Sequence, residues 1–307
     1  MPPLVSFCIP AFNAERNIET CLRSVIAQGV ADAEIVLVDN ASTDRTVELA
    51  RAVLDGYPNG RIVRNETNIG RVGNWNRCFE VAHGQYIKFA FTNDALIPGA
   101  TQRLVSLISA DPEMVIVGSR QRTVTSIPNQ LSPVPVGAAV SVRDGADALE
   151  YLASHGFADL GSLNGMIYRR SAVIENEIWY REDIPYFADF AHAIELASIG
   201  KVGFLDAETY CFNEGASGRY HFAGLQNIPK FLTEHRLTTS RHMQLLRRHG
   251  RKPQTALDYL WGRYFWYLSQ GWPIRVKDAF TSFKGHPALQ LHAAAKTAWY
   301  HLRARAA

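Results

Sequence analysis

Two segments near the start of the chain, VSFCIPAFN (Val5–Asn13) and EIVLVDNASTDRT (Glu34–Thr46), decide how it folds. The first begins with a short, mainly apolar run. The second contains four successive apolar residues, Ile35–Val38, as expected of a strand that is covered on both faces, and both segments end in polar residues. Between them, residues 13–28 carry apolar side chains at helical spacing. A strand, a helix and a second strand in this order form a βαβ unit, so the sequence predicts parallel pairing of the two strands.

The same alternation of strands and helices continues along the chain. Further strands are predicted at Arg61–Arg64, Gln85–Phe91, Met114–Gly118 and Val202–Leu205. Further helices are predicted at 42–54, 70–82, 99–109, 145–155 and 188–199. Three prolines within residues 123–141 predict a long loop there. The sequence therefore indicates an α/β fold with a mostly parallel central sheet flanked by helices.

Composition excludes several classes of protein. With 47% hydrophobic and 20% charged residues among 307, the chain is too apolar for a disordered protein. No apolar run reaches the roughly 18 residues that a membrane span needs. The N-terminus has no basic region followed by an apolar stretch, so no signal peptide is expected and a cytoplasmic location is predicted.

The net charge of +3 hides an uneven distribution. Residues 1–218 carry 17 basic and 26 acidic residues, a charge of −9, whereas residues 219–307 carry 15 and 3, a charge of +12. We therefore predict an acidic domain over 1–218 and a basic, aromatic-rich helical region over 219–307 that meets an anionic partner.

Cysteines and histidines suggest no metal or disulfide framework. Cys8, Cys21, Cys78 and Cys211 lack C-x-x-C spacing and are predicted to be buried, reduced thiols. His235, His242 and His249 are seven residues apart and are predicted to form a solvated stripe on one side of a helix.

Ligands of an open α/β sheet bind beyond the carboxyl ends of its strands, where this chain is polar. Asp39 ends the second predicted strand and is suited to accept from a ribose hydroxyl or a base N–H, or to cap the next helix. The first strand–helix turn lacks G-x-G-x-x-G, which argues against a classical dinucleotide-binding dehydrogenase. Walker A and G-x-S-x-G motifs are also absent from the sequence, which argues against P-loop NTPases and α/β-hydrolases.

The two opening segments, together with NETNIGRVGNWNRCFEVAHGQYIKF (Asn65–Phe89), resemble the inverting family 2 glycosyltransferases. The resemblance is strong over about residues 4–100 and weaker to about 218. It implies that residues 1–218 form a catalytic domain with the GT-A fold, a Rossmann-like nucleotide-sugar-binding fold, and that residues 219–307 are a helical C-terminal extension. The Q-x-x-R-W motif and membrane helices of the processive members are missing, so a bacterial-type enzyme transferring one sugar per encounter is expected.

The resemblance also implies a set of donor-binding residues. A nucleotide sugar, with UDP favoured, is expected to contact the loops that follow the first four strands. The implied residues are Pro10, Ala11, Phe12, Asp39, Asn68, Gly70, Arg71 and Asn93.

A divalent metal that neutralises the leaving diphosphate is held in this family by a D-x-D motif. The corresponding text here is Phe91-Thr92-Asn93-Asp94, so a single acid remains. Asp94, with Asn93, is the candidate ligand, and Mn²⁺ or Mg²⁺ is the expected ion.

Inversion needs a general base for the acceptor hydroxyl, and the resemblance assigns this role to Asp189, before a helix ending LASIGKV. Asp183, in a literal E-D pair, is the alternative. Ser162 and Asn164 lie in a segment that resembles the border of the acceptor and donor sugar. The implied reaction is hexosyl-type transfer to a glycan or lipid-linked acceptor in surface polysaccharide or lipopolysaccharide biosynthesis.

The basic region leaves two interpretations open. Basic residues followed by dense aromatics over 230–273 predict contact with an anionic membrane surface, peripheral at the inner face of the cytoplasmic membrane. Alternatively, the aromatics pack on the catalytic body. Nucleic acid is not an expected partner, since no binding motif accompanies the charge.

The incomplete D-x-D motif leaves an alternative function open. The protein could be a degenerate, non-catalytic nucleotide-sugar-binding module.

Overall fold

The computed structural model describes residues 2–155, 160, 162–217 and 228–253. The strands are β1 Val5–Ala11, β2 Ala33–Asp39, β3 Gly60–Arg64, β4 Tyr86–Phe89, β5 Ala95–Leu96, β6 Met114–Val124, β7 Val140–Arg143, β8 Ile167–Arg169 and β9 Lys201–Asn213. The helices are α1 Ile18–Ile26, α2 Thr46–Leu54, α3 Gly70–Val81, α4 Ala100–Ala110, α5 Gly145–His155, α6 Arg170–Ile174, α7 Ala188–Ala197, α8 Glu214–Ser217 and α9 Ile228–Arg248.

One sheet contains all of these strands, in the order β3-β2-β1-β4-β8-β6-β9-β5, with β7 paired to β9. The first four strands are parallel, and β1 pairs with β2 from Val5 opposite Ala33 to Ala11 opposite Asp39. Strand β8 is antiparallel to both neighbours, while β6 and β9 are again parallel. The predicted α/β fold with a mostly parallel central sheet is confirmed, and the carboxyl ends of β1, β2 and β4 meet at one edge.

Strand β1 shows why both faces of the sheet are covered. Cys8 belongs to an apolar cluster under α3 and α7, whereas Phe7 and Ile9 belong to a second cluster under α1 and α4. Side chains alternate between the faces of a strand, so a mainly apolar strand supplies both layers at once.

The second half of the sheet departs from the prediction. Strand β9 extends to Asn213, well past the predicted end at Leu205, because it pairs with the polar continuation of β6. The short strands β5 and β8 and the four-residue β7 were not predicted, since two to four residues show no periodicity. The predicted long loop is present between β6 and β7.

Helix α9 packs on the catalytic body. Its Leu245 and Leu246 are buried in the same cluster as Ile194 of α7 and Leu149 of α5. The basic region therefore shares the core in its described part. Among the described residues, no helix is long and apolar enough to cross a membrane.

The four cysteines are buried and free, as predicted. The prediction of a solvated histidine stripe is wrong for two of its three members. His235 and His242 are buried against α7 and its preceding segment, because that side of α9 faces the core, and only His249 is exposed.

Candidate active site

A cleft of about 320 Å³ lies at the carboxyl ends of β1, β2 and β4, where the sequence places its polar turns. The predicted residues that line it are Pro10, Ala11, Phe12, Asn68, Arg71, Asn93, Asp94, Ser162 and Asp189. The residues of its lining that were not predicted are Asn40, Asn74, Trp75, Phe91, Thr92, Leu163 and Phe212. The structure thus brings most of the proposed donor residues, the proposed metal ligand and the proposed base into one cleft, whereas Asp39 and Gly70 are not part of its lining.

Asn40 organises the nucleotide side of the cleft, which is the side formed by the loops after β2 and β3, where the nucleotide is predicted to bind. Its side-chain N–H donates to Asn68 Oδ1 at 2.9 Å and to the Gly70 carbonyl at 3.2 Å, and its Oδ1 accepts from the Ile69 N–H at 3.0 Å. Gly70 has φ of +80°, a left-handed conformation that glycine adopts without strain. This buried amide therefore fixes the loop that starts α3.

Asp39 lies beside the cleft, and its side chain is fully buried. It accepts from the Ser42 N–H at 3.2 Å and is 3.2 Å from Arg64 Nε. Both contacts stabilise the turn after β2. Asp39 does not cap the next helix, because α2 begins only at Thr46. Base recognition by Asp39 stays a prediction.

Arg71 connects the nucleotide side to the segment that leads into α7. Its guanidinium lies 4.9 Å from the centroid of the Trp75 ring and donates to the Pro185 carbonyl at 2.5 Å. A cation held in this way is available to a diphosphate in the cleft.

Asp94 sits at the floor of the cleft and is almost fully buried. Its Oδ1 accepts from the Asn213 N–H at 3.0 Å, and its Oδ2 accepts from the Asn164 side chain. Burial raises the pKa of Asp94 to about 6, and these two hydrogen bonds oppose the rise.

Asn164 is buried behind Asp94 and is not part of the cleft lining. Its Oδ1 accepts from the Phe91 N–H at 2.7 Å, and its carbonyl accepts from the ammonium of Lys88. Lys88 is buried too, and burial lowers its pKa to about 7. Asn164 therefore supports Asp94, whereas Ser162 lines the cleft with its hydroxyl 2.7 Å from the Tyr210 hydroxyl.

The residues present can hold a metal only together with a donor. Among the described residues, there is no group of three His, Cys, Asp or Glu side chains that could bind one. Each carboxylate oxygen of Asp94 accepts one hydrogen bond and keeps a second lone pair, which a metal could use. Asn93 Oδ1 accepts a hydrogen bond from the Asn17 side chain at 2.9 Å. One carboxylate thus fits an ion whose remaining ligands are diphosphate oxygens and water.

Asp189 lies in the first turn of α7 and reaches the cleft half-buried. Burial raises its pKa, while the Phe190 N–H, which donates at 2.8 Å, and the charge of Arg71 oppose the rise. A carboxylate whose pKa is raised is a stronger base than an exposed one.

Asp183, the alternative base, is exposed and is not part of the cleft lining. Arg181 donates to both of its oxygens, at 3.0 and 2.5 Å, and lowers its pKa. The geometry favours Asp189 over Asp183.

Sequence reasoning missed Asn40, Trp75 and Lys88 as site residues. Asn40 was within reach, because it follows Asp39 in the polar turn at the end of β2. Lys88 gave no signal, since a lysine within a strand is normally taken to face solvent.

Comparison with known proteins agrees with this architecture. Residues 6–132 match the family model "Glycosyl transferase family 2". The glycosyltransferase YibD of Escherichia coli is 33% identical over 107 residues, which are 35% of this chain and 31% of that protein. The chain thus matches less than a third of that relative's length.

Two solved structures share the fold. TarS (residues 1–349) of S. aureus in complex with UDP-GlcNAc has a TM-score of 0.68 and 16% identity, over 91% of this chain and 79% of that one. The mannosyltransferase PcManGT of Pyrobaculum calidifontis, in complex with GDP-Man and Mn²⁺, has a TM-score of 0.59 and 17% identity, over 99% and 81%. Residues 6–132 therefore form a glycosyltransferase family 2 domain, and the chain has the GT-A fold.

Proposed function

We propose that the protein transfers one sugar from a nucleotide sugar to an acceptor hydroxyl with inversion, and that the donor is a UDP-sugar. The observation that carries the proposal is the half-buried Asp189 carboxylate in the same cleft as Asp94 and the loop after β1. The presence of UDP-GlcNAc in TarS and of GDP-Man in PcManGT, which share the fold, supports a nucleotide-sugar donor.

The proposed reaction is a direct displacement. Asp189 removes the proton of the acceptor hydroxyl as its oxygen attacks the anomeric carbon, and the bond from that carbon to the diphosphate oxygen breaks on the opposite face. Arg71 stabilises the negative charge that develops on the diphosphate. A divalent ion held by Asp94 would supply Lewis-acid stabilisation of the same charge, as the Mn²⁺ in the PcManGT structure suggests.

The acceptor and the location belong to the same proposal. We infer a glycan or lipid-linked acceptor in surface polysaccharide biosynthesis, used at the inner face of the cytoplasmic membrane. The positive charge of the C-terminal region supports this inference, since anionic headgroups attract basic residues near the surface.

Asp189→Asn tests the assignment of the base. We incubate the protein with UDP-, GDP- and dTDP-sugars, Mn²⁺ and candidate glycan acceptors, and measure released nucleotide. Loss of the general base should lower kcat by a factor on the order of 10² to 10⁴, since the amide cannot accept the proton.

Asp183→Asn is the matched control and should turn over like the wild type. Equal rates for Asp189→Asn and wild type would rule out Asp189 as the base. Saturable nucleotide binding without turnover of any donor would favour the non-catalytic module.

A further inference from the structure

The segment that leads into the catalytic helix is held by α9. The Tyr186 N–H donates to Glu234 Oε2 at 2.7 Å, and Glu234 is only 2% exposed. Tyr186 lies three residues before Asp189, at the start of the turn that begins α7. A side chain of the C-terminal region therefore binds the backbone next to the proposed base.

Aromatic stacking fixes the following residue of the same segment. The rings of Phe187 and His235 are parallel within 4°, with centroids 4.7 Å apart, and Phe231 lies 4.9 Å from Phe187. His235 and Phe231 are both buried on α9. This packing holds the N-cap residue of α7 against α9.

Arg71 holds the segment from the opposite side, through its hydrogen bond to the Pro185 carbonyl. Three consecutive residues, 185–187, are thus fixed between α3, which begins at the nucleotide side of the cleft, and α9. Asp189 follows two residues later, so these contacts restrict the movement of its backbone relative to the cleft.

Binding one backbone N–H with a buried carboxylate costs desolvation free energy. Burial raises the pKa of Glu234, and the Tyr186 N–H and the cations Lys230, 3.9 Å away, and Arg71 oppose the rise. An apolar side chain would fill the same space without the cost of desolvating a charge. The use of a carboxylate here indicates a requirement for precise placement of Tyr186.

We propose that Glu234 is a positioning residue for glycosyl transfer, which holds Tyr186 and thereby aims the Asp189 carboxylate at the acceptor hydroxyl. This inference rests on the proposed function, because the group that α9 would position is the general base of that reaction. Displacement of a reacting group by about 1 Å can cost on the order of 100-fold in rate, so a contact outside the cleft can control kcat.

Glu234→Ala and Glu234→Gln in the full chain test this role. Glu234→Ala should lower kcat by about 10- to 100-fold and leave the donor KM and the UDP dissociation constant within about twofold, since the nucleotide side is unchanged. Glu234→Gln should keep kcat within about threefold, because its amide oxygen can still accept from the Tyr186 N–H.

Arg241→Ala is the matched control on the same helix. Arg241 pairs with Glu195 in the last turns of α7, far along that helix from Asp189. The Arg241→Ala variant should have a lower melting temperature but no selective loss of kcat. Glu234→Ala should have a lower kcat at temperatures where both variants are folded.

The outcomes separate the two proposals. Wild-type kcat in folded Glu234→Ala, or an equal loss in Glu234→Gln and Glu234→Ala, would overturn the positioning role while the proposed function stands. If the wild type and all variants bind UDP but none turns over, the proposed function fails first, and the positioning role fails with it.

Discussion

The protonation of Asp94 should change within an accessible pH range. Its pKa of about 6 arises from burial at the floor of the cleft, and the Asn164 and Asn213 donors only partly offset it. Below pH 6 the carboxyl group is mostly neutral, so a cation must displace the proton in order to bind. Above pH 6 it is ionised and available as a metal ligand.

We therefore expect the Mn²⁺ concentration needed for half-maximal activity to rise by up to about tenfold per pH unit as the pH falls below 6. Nucleotide release measured over a Mn²⁺ titration at several pH values checks this. In Asp94→Asn the requirement for Mn²⁺ should lose this pH dependence. A requirement that is the same at pH 5 and pH 7 in the wild type would contradict the assignment of Asp94 as ligand.

At the scale of residues, the sequence could predict the candidate groups that line the cleft better than the residues that support them. Asp189, Asp94 and Arg71 stand at strand ends and helix starts, where ligand-binding residues are expected. Asn164 was predicted to contact sugar, but it lies behind Asp94, since a polar side chain in a Gly-rich segment looks the same whether it faces the cleft or the core. Lys88 illustrates the same limit, because its burial depends on the carbonyls of Phe89 and Asn164.

Helix α9 is the element for which the structure changes the interpretation most. Leu246 is fully buried between α5 and α7, while the next residue, Arg247, is exposed. We expect Leu246→Ala to lower the free energy of unfolding by about 2–5 kcal/mol, the usual cost of a cavity in a core. Arg247→Ala is the control and should change it by less than about 0.5 kcal/mol.

Urea denaturation of the full chain measures both variants of this pair. Equal stabilities for Leu246→Ala and Arg247→Ala would show that α9 does not share the core of the catalytic body. The amphipathic pattern of residues 228–248 predicts a helix, but it does not say which surface covers its apolar side. Glu195, which pairs with Arg241, and Leu149, whose carbonyl contacts His242, settle that question.

At the scale of the whole molecule, the charge of the C-terminal region is partly used inside the protein. Arg241 pairs with Glu195, and Arg251 pairs with Asp147 of α5. In the described part of the chain, Arg247, Arg248 and Lys252 remain exposed at the end of α9. The aromatic stretch Tyr259–Tyr267 and most of the predicted membrane-contacting range lie outside the described residues.

Replacing Arg247, Arg248 and Lys252 together with Gln tests the proposed membrane contact. At about 1 kcal/mol for each charge near an anionic surface, the triple variant should bind vesicles containing phosphatidylserine about 100-fold more weakly than the wild type. Co-sedimentation at low and high salt measures the binding, and purely zwitterionic vesicles are the control. Unchanged binding of the triple variant to the anionic vesicles would contradict a contact through the end of α9.

The sequence by itself determined the fold class, the parallel pairing of β1 and β2, and the edge of the sheet that carries the cleft. These features follow from local patterns, because an unbroken apolar run needs cover on both faces and parallel strands present their carboxyl ends together. Only the tertiary structure showed that Asp189 lines the cleft and Asp183 does not, that Lys88 and Asn164 are buried, and that α9 packs on α7. Each of these depends on which distant backbone groups and side chains surround a residue, and the desolvation and hydrogen bonds that result exist only once the chain has packed.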